Sequence, residues 1–375
     1  MSVAVAGAAE SDLGITGRSI LELQAQAAGR ALADAGLTLR DVDGLASVGA
    51  SRFSVAQVAE YLGLTPRWSE STFAGGSAFE MYIARAAQAI ESGQCDTVLI
   101  TYGSNQRSAR SRKLGGVVED HTPQARHETP YGPLYPISYY AMAARRYLHV
   151  YKRGREDLAE VAVAAREWAL LNPKAFRHGA GPLTIEDVTG APMISDPLTA
   201  ADCCLVTDGG GALVLTSLER ARDLPRPPVV ILGYGEATTN DGMAAAPDLL
   251  ATGARDSGRR AFAMAGLGPR DVDVAELYDS FTITVLLSLE DLGFCAPGEA
   301  ADLIRSRRLP VNTNGGGLSY CHPGMYGLLL LVEAVRQLRG ECGPRQVPGA
   351  EVALAHGTGG ILSTHATVLL GVDRG

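Results

Sequence analysis

One phrase occurs twice in this chain of 375 residues, and it constrains the fold more than any other feature. Residues 30–43 read RALADAGLTLRDVD and residues 260–273 read RAFAMAGLGPRDVD. Ten of the fourteen positions are identical, which indicates an internal duplication. The spacing of 230 residues is far longer than the roughly 20–50-residue units of solenoid proteins. The repeat therefore predicts two similar halves, with the chemistry located where the copies differ.

Both halves are predicted to follow the same order of elements. A short strand leads to a helix (about 20–36 or 249–266) that ends at Gly36 or Gly266, each suited to the left-handed position after a helix. An Arg-Asp-Val-Asp turn, a strand, a glycine-opened helix and another strand follow. The predicted strands are 3–8, 44–48 and 97–102 in the first half and 229–234, 274–277 and 352–355 in the second. This alternation predicts a mostly parallel sheet in each half.

The first half (1–225) carries a segment that the second half (226–375) lacks. It spans roughly 104–195 and includes the basic stretch 107–113 (Arg107, Arg110, Arg112 and Lys113), a Pro- and Tyr-rich stretch, and a helix near 155–170. A long insertion on an α/β core usually covers a binding site. The basic stretch is either a solvated loop or a contact for phosphate groups. After the insertion, residues 205–215 are predicted to form two closing strands around a glycine turn.

Composition excludes several classes of protein. The net charge is −8 without a long Lys/Arg stripe, so nucleic acid is not an expected partner. No apolar run reaches membrane-spanning length and the first residues lack a signal-peptide pattern, so we expect a cytoplasmic protein without a membrane span. The six cysteines have no metal-ligand spacing, so we expect reduced thiols and no bound metal.

Several motifs together resemble the thiolase superfamily. They are the small-residue loop near Gly76 that opens a helix, LYDSF at 277–281, NTNGGGLSYCHPGMYG at 312–327 and AHGTGG at 355–360. The branch that they resemble most is that of the sterol-carrier-protein-type thiolases and their lipid-transfer-protein relatives. The resemblance covers nearly the whole chain. It implies the α/β thiolase fold, a duplicated five-layered αβαβα core with an inserted loop domain.

Members of this family make or break the carbon–carbon bond beside the carbonyl of an acyl-CoA thioester. Thiolases use a nucleophilic cysteine, a histidine in a Gly-His-Pro motif, a second cysteine and an asparagine. Of these four groups the chain keeps only the histidine, as His322. By resemblance, Gly76 or its neighbour Ser77 stands at the nucleophile position, His356 at the second cysteine and Tyr278 at the asparagine.

The missing cysteine changes the reaction that we expect. Acyl transfer from CoA needs a soft thiolate nucleophile, which glycine cannot supply. Retro-aldol cleavage of a β-hydroxyacyl-CoA needs instead a base, an acid and donors to the thioester oxygen, and tyrosines with a lowered pKa can move such protons. Some lipid-transfer-protein relatives in steroid side-chain degradation are aldolases of this kind. The resemblance therefore implies a lyase that cleaves a bulky β-hydroxyacyl-CoA to a ketone or aldehyde and a shortened acyl-CoA.

The candidate site residues lie on the motifs that line the family's pocket. The expected catalytic residues are Tyr278, Tyr326, His322 and His356. The expected substrate- and CoA-binding residues are Gly76, Ser77, Gly316, Gly317 and Gly359. Each catalytic candidate also has a structural interpretation. Tyr278 could be a packed tyrosine and Tyr326 a tyrosine of the pocket wall. His322 could order the glycine-rich loop, and His356 could be a buried structural histidine. Asp279 is expected to cap a helix that begins at Ser280.

Two other functions stay open. One is a thiolase-type acyltransferase, similar to acetyl-CoA acetyltransferases, with an unusual nucleophile. The other is a non-catalytic subunit that binds CoA esters or lipid. No separate cofactor is expected, because CoA is part of the substrate. The resemblance also implies a homodimer and an accessory subunit of the OB-fold/zinc-ribbon type, because lipid-transfer relatives often pair with one.

Overall fold

The computed structural model describes residues 2–112 and 122–375, so Lys113 of the basic stretch lies outside the described residues. The strands are β1 (Val3–Glu10), β2 (Gly44–Ser47), β3 (Trp68–Glu70), β4 (Thr97–Ser104), β5 (Met193–Ser195), β6 (Leu198–Thr199), β7 (Gly209–Ser217), β8 (Val229–Thr238), β9 (Val274–Leu277), β10 (Val352–Gly359) and β11 (Thr364–Val372). The helices are α1 (Ile20–Ala35), α2 (Ser54–Leu62), α3 (Ala78–Glu91), α4 (Pro123–His127), α5 (Ile137–Tyr151), α6 (Arg155–Leu170), α7 (Ile185–Gly190), α8 (Leu218–Arg222), α9 (Ala254–Ala265), α10 (Thr282–Asp291), α11 (Ala300–Ser306) and α12 (Gly327–Leu338).

The predicted duplication is visible in the sheet. Nine strands form one sheet in the order β3-β2-β4-β7-β1-β8-β11-β10-β9. Read from its edge inwards, the second half runs β9-β10-β11-β8, which matches β2-β4-β7-β1 in the first half. The two halves join where Ala4 and Val5 of β1 pair with Val230 and Val229 of β8. The repeated phrase therefore marks equivalent helices and strands in two copies of one unit.

The expectation of a mostly parallel sheet is wrong. Among the described strands of this sheet, the parallel pairs are β2–β3, β2–β4 and β9–β10. Strand β7 runs antiparallel to β4 and β1, and β11 runs antiparallel to β10 and β8. In the second half β10 and β11 are joined directly by residues 360–363, and a short connection of this kind returns the chain antiparallel. Each half is therefore a mixed sheet.

The layers follow the five-layered arrangement that the resemblance implies. Helices α3 and α12 contact strands of both halves and form the central layer. Helix α1 packs on β1, β4 and β7, whereas α9 packs on β8 and β11. Every residue of α12 except Arg336 is buried, so this helix lies inside the core.

The glycine run 209–211 lies inside β7 and not in a turn, which corrects the prediction of two closing strands. β7 pairs with β4 through Gly210 and Gly103. A Cβ added at Gly210 would lie 2.1 Å from the carbonyl oxygen of Tyr102, so glycine permits the close approach of the two strands. Residues 205–207 run instead along the π-helical turn Gly316–Tyr320, where the N–H of Leu205 donates to the carbonyl of Gly317 at 2.8 Å.

The predicted insertion lies between β4 and β7. Its described part contains α4 to α7 and the β5–β6 pair, and α6 confirms the helix expected near 155–170. Helix α6 packs on α10 and α11 of the second half. Both repeated helices end at the expected glycines, Gly36 and Gly266, in the left-handed conformation. None of the described helices has the length and apolar character needed to cross a membrane.

Candidate active site

Three of the four expected catalytic residues meet at one place. Tyr278 directly follows β9, and its N–H donates to the carbonyl of His356 at 2.9 Å. His322 follows the π-helical turn Gly316–Tyr320, and Tyr326 directly precedes α12. The ends of three separate elements therefore bring Tyr278, His322 and Tyr326 together, and we call these three residues the Tyr-His-Tyr cluster.

The hydroxyl of Tyr278 is the centre of the cluster. Its oxygen lies 3.1 Å from Nε2 of His322 and accepts a hydrogen bond from the N–H of Tyr326 at 3.3 Å. It also lies 3.3 Å from the carbonyl oxygen of Gly324. The ring of Tyr278 is perpendicular to that of His322, whereas the rings of His322 and Tyr326 are stacked. The geometry provides both a donor and an acceptor at one phenol oxygen.

Burial keeps the three side chains uncharged. It raises the pKa of Tyr278 and that of Tyr326 well above 10.0. Burial also lowers the pKa of His322 to about 3, and the positive charge of Arg112 adds to this effect. Tyr278 therefore does not have a lowered pKa, because loss of water outweighs the hydrogen bond from Tyr326. The resting cluster is two neutral phenols and a neutral imidazole.

Neither residue at the nucleophile position offers a free nucleophile. Gly76 faces the ring of Tyr278, and a Cβ added there would lie 2.0 Å from Cε2 of that ring. The hydroxyl of Ser77 is fully buried, donates to the carbonyl of Ala74 at 2.8 Å and lies 2.9 Å from Oγ1 of Thr364. The small-residue loop thus makes room for Tyr278.

His356, the fourth expected catalytic residue, is not brought to the cluster. Its Nδ1 lies 2.9 Å from Oγ1 of Thr367, and its Nε2 lies 3.3 Å from Nδ1 of His365. Thr367 in turn contacts Ser257 of α9, on the outer side of the sheet. Side chains alternate along a strand, so the next residue, Gly357, is the one that faces Ser77. Burial lowers the pKa of His356 well below 6.5, which leaves a neutral, hydrogen-bonded histidine.

The glycines of the motif have packing reasons of their own. The carboxylate of Asp279 accepts the N–H groups of Gly317 and Leu318 at 2.7 and 3.1 Å. A Cβ at Gly316 would lie 2.1 Å from Oδ2 of Asp279, and one at Gly359 would lie 2.0 Å from the carbonyl oxygen of Ala74. Asp279 therefore orders the glycine-rich turn and does not cap α10, which begins at Thr282 without a side-chain cap. Burial raises its pKa to about 7.

Sequence reasoning missed several residues that hold the cluster in place. Oδ1 of Asn314 accepts the hydroxyl of Tyr326 at 2.7 Å and the N–H of Gly316 at 2.8 Å. Nε2 of Gln106 donates to the carbonyl of His322 at 2.7 Å, and Oγ1 of Thr207 accepts the N–H of His322 at 3.0 Å. The NTNGG motif could have indicated Asn314, because a polar side chain beside a glycine-rich turn needs a hydrogen-bond partner. Nothing in the sequence indicated Gln106 or Thr207.

Cys321 precedes His322 but does not act as a reactive thiol. It is fully buried, and its Sγ lies 3.1 Å from Oγ1 of Thr207. Burial raises the pKa of this thiol to about 12, so little thiolate forms near neutral pH. Cys321 is therefore a small residue that packs in the core.

The basic stretch lies beside the cluster. Arg107, Arg110 and Arg112 line a cavity of about 550 Å³ together with Gln106, whose side chain contacts His322. Within the described part of the chain, these three arginines form no ion pair with a carboxylate. A second cavity, of about 560 Å³, shares Arg107 and is walled by residues 203–206 and by Leu318 and Ser319. Both cavities adjoin the loops that carry the cluster.

The duplicated five-layered core, with its site at the ends of β9 and α12, defines a thiolase-fold protein. Residues 235–372 match the family model described as "Thiolase C-terminal domain-like". The chain is 38% identical to the steroid side-chain-cleaving aldolase of Thermomonospora curvata, over 100% of both chains. It is 39% identical to the 17-hydroxy-3-oxo-4-pregnene-20-carboxyl-CoA lyase of Mycobacterium tuberculosis, over 92% of this chain and 93% of the relative. The chain therefore belongs to the thiolase superfamily, in the branch that contains these aldolases.

A solved structure gives the same result for the fold. The Ltp2-ChsH2(DUF35) aldolase superposes with a TM-score of 0.90 at 35% sequence identity, over 100% of this chain and 98% of the other. The fold expected from the motifs is thus confirmed.

Proposed function

We propose that the protein is an acyl-CoA carbon–carbon lyase that cleaves a bulky, steroid-type β-hydroxyacyl-CoA by a retro-aldol reaction. The observation that carries the proposal is the position of Tyr278. Its ring fills the space above Gly76, where a thiolase nucleophile would stand, and its hydroxyl is shared between His322 and the N–H of Tyr326. The names of the two aldolase and lyase relatives support the same reaction.

The proposed reaction begins with removal of the β-hydroxyl proton. Tyr278 accepts this proton while its own proton passes to Nε2 of His322, 3.1 Å away. The electrons of the O–H bond form the carbonyl of the ketone or aldehyde, and the bond between the α- and β-carbons breaks. Those bonding electrons move into the thioester as an enolate. Because the proton moves between neutral groups in contact, Tyr278 never has to be a resting phenolate.

The second half of the reaction returns a proton to carbon. The phenol of Tyr326, oriented by Asn314, protonates the α-carbon of the enolate and gives the shortened acyl-CoA. This leaves a phenolate at Tyr326 and a proton on His322, whose rings are stacked with centroids 6.1 Å apart. Net transfer of that proton from His322 to the Tyr326 phenolate restores both residues before the next turnover. The cycle consumes no net proton and needs no covalent intermediate.

The arginine cavities support a place for CoA. The phosphates of CoA carry several negative charges, and Arg107, Arg110 and Arg112 offer guanidinium groups without a carboxylate partner in the described chain. These arginines lie beside Gln106, which contacts the loop of His322. We therefore propose that the basic stretch binds the phosphate end of the substrate while the thioester reaches the Tyr-His-Tyr cluster.

We also propose that the protein forms a homodimer through the β3 edge of the sheet. β3 is the terminal strand of the first half, so one edge of it is unpaired. Phe53, Tyr61 and Phe73 near this edge are exposed by 72%, 50% and 73%, which is unusual for large apolar side chains. An accessory subunit is a further proposal. It is supported by the solved relative, whose name pairs Ltp2 with ChsH2(DUF35).

One incubation tests the proposed reaction against thiolysis. The protein is given a β-hydroxyacyl-CoA, and separately a β-ketoacyl-CoA with free CoA, each with and without a co-encoded accessory subunit. Release of a ketone or aldehyde with a shortened acyl-CoA from the first substrate is the expected result. Thiolysis of the second substrate would favour the acyltransferase, and binding of CoA esters without turnover would favour a non-catalytic subunit.

A further inference from the structure

Glu80 is a fully buried carboxyl group that the proposed reaction does not use. It is the third residue of α3, one helical turn after Gly76, and it is only 1% exposed. Neither of its carboxyl oxygens has a hydrogen-bond partner among the described residues. A buried polar group without a partner is rare in folded proteins and calls for an explanation.

Two glycines leave room for this carboxyl group beside the cluster. A Cβ at Gly327 would lie 2.7 and 2.8 Å from the two oxygens of Glu80, and one at Gly357 would lie 2.2 Å from Oε2. Gly327 follows Tyr326 in the chain, and Gly357 is the residue of β10 that faces Ser77. The carboxyl group of Glu80 therefore lies directly behind the backbone that carries Tyr326 and the small-residue loop.

Among residues 2–112 and 122–375, no neighbouring cation neutralises Glu80. It borders a cavity of about 370 Å³ that Arg85 of α3, Tyr234 and Glu236 of β8, and Arg260 of α9 also line. Arg85 pairs with Glu236 at 2.9 Å and Arg260 donates to the carbonyl of Glu236, so both guanidinium groups have other partners. Next to α12 the adjacent titratable group is Tyr326, the residue that precedes this helix. On β10 it is His356, which lies on the opposite face of the strand.

We propose that Glu80 is a positioning residue that works as a neutral carboxylic acid, and that its ionisation switches the Tyr-His-Tyr cluster off. The proposal rests on the proposed lyase function, because the cluster is what Glu80 supports. Burial raises the pKa of Glu80 to about 8, in agreement with a proton held at neutral pH.

Ionisation of Glu80 would place a negative charge inside the core, beside the Tyr-His-Tyr cluster. A carboxylate at Glu80 would have no donor in its surroundings, so it would recruit water through the adjoining cavity or push away from Gly327. It would also place a negative charge behind Tyr326, close to where the enolate develops its own negative charge. Both effects oppose the step that breaks the carbon–carbon bond.

The test compares E80Q with the wild type in kcat for β-hydroxyacyl-CoA cleavage between pH 6 and 10. Glutamine keeps the shape of the side chain and cannot ionise. We expect E80Q to match the wild type within threefold at pH 7. We expect wild-type kcat to fall about tenfold per pH unit above the pKa of Glu80, and E80Q to lack that fall. E91Q, at the exposed end of α3, is the matched control and should follow the wild type throughout.

A spectroscopic measurement separates this inference from the proposed reaction. The infrared difference spectrum of wild type minus E80Q should contain a protonated carboxylic acid band at pH 7 that disappears on titration through pH 8. This band reports on Glu80 even if the protein cleaves no hydroxyacyl-CoA. Absence of the band at pH 7, or an identical alkaline fall of kcat in E80Q, would overturn the inference. If E80Q fails to fold, the same band is followed by titrating the wild type, and a shift of its frequency in E80D assigns it to residue 80.

Discussion

The ring of Tyr278 occupies the volume that a side chain at position 76 would need. A Cβ at Gly76 would lie 2.0 Å from Cε2 and 2.6 Å from Cζ of Tyr278. The two positions therefore exclude each other, since real Cβ atoms do not approach ring carbons so closely. A nucleophile at 76 and a tyrosine at 278 cannot both be present in this arrangement. This chain has the tyrosine at position 278 and no side chain at position 76. It therefore lacks the cysteine nucleophile that acyl-enzyme chemistry needs.

A methyl group at position 76 should disrupt the site. G76A places a Cβ inside the ring of Tyr278, and overpacking of this kind costs about 1–3 kcal/mol of unfolding free energy. Cleavage of the hydroxyacyl-CoA should fall at the same time, because Tyr278 must move. Urea unfolding and kcat measure the two effects. G29A is the control: Gly29 lies in α1 with no atom near its Cβ position, so alanine there should be neutral or stabilising. Equal stability of G76A and G29A would contradict the packing described.

Glu276 of β9 and Glu333 of α12 form a buried carboxyl pair, and the two should respond unequally to substitution. Oγ1 of Thr313 lies 2.7 Å from Glu276 and 2.8 Å from Glu333, and Glu333 pairs with Arg345 through both oxygens. Burial and the nearby Glu333 raise the pKa of Glu276 well above 4.5, so Glu276 holds a proton.

We therefore expect E276Q to change the unfolding free energy by less than about 1 kcal/mol, because it replaces a neutral group by another. E333Q breaks a buried ion pair and should cost about 3–5 kcal/mol. Urea unfolding at pH 7 measures both. A larger loss in E276Q than in E333Q would reverse the assignment of the proton.

Glu80 should make stability depend on pH. Burial raises its pKa from the ordinary 4.5 to about 8, so between these pH values the folded state holds a proton that the unfolded state has lost. A raised pKa of this kind contributes stability that is full below pH 4.5 and is lost as pH rises towards 8. Relative to E80Q, the wild type should lose about 1.4 kcal/mol per pH unit across that range. Parallel curves of unfolding free energy against pH for the two proteins would argue against a raised pKa.

The arginines of the basic stretch should control CoA affinity. R107A and R110A each remove a guanidinium group from the cavity beside Gln106, and we expect each to weaken CoA binding about tenfold at low salt. Isothermal titration with CoA and with pantetheine measures the effect. Binding of pantetheine, which lacks the phosphates, should be unchanged. R259A, on the exposed side of α9, should bind CoA as the wild type does. If R107A and R110A bind CoA as tightly as the wild type does, the basic stretch is a solvated loop and not a phosphate contact.

Much of the fold could be predicted because the repeated phrase records it twice. The Gly36 and Gly266 helix ends and the strand after each Arg-Asp-Val-Asp turn are local signals, and the structure contains both. The antiparallel course of β7 and β11 was not predictable in this way, because strand direction depends on which partners the chain meets in space. The glycine run of β7 likewise resembled a turn, and only the close approach of Tyr102 explains it.

Site residues that lie on a recognisable motif were predicted from the sequence. Those that approach the site only in the folded structure were missed. Tyr278 lies on one motif and His322 and Tyr326 lie on another, and the thiolase resemblance was enough to group them. The structure does not bring His356 to these residues, because a shift of one residue along a strand moves a side chain to the other face. The raised pKa values of Tyr278 and Tyr326 could not be predicted, because the sequence does not reveal their burial. Glu80 carried no signal, since an acidic residue in the first turn of a helix is ordinarily a surface residue.

The most direct test of the account is the kcat of Y278F for cleavage of a β-hydroxyacyl-CoA. Phenylalanine keeps the ring over Gly76 and removes only the hydroxyl that contacts His322 and Tyr326. Y82F is the matched control, because Tyr82 is also a buried tyrosine, with its hydroxyl bonded to the carbonyl of Thr72 away from the site. We predict a fall of about 10²–10⁴-fold in Y278F, with the thermal midpoint close to that of Y82F, and little change of kcat in Y82F. Cleavage by Y278F at the wild-type rate would contradict the central claim that this hydroxyl carries the proton.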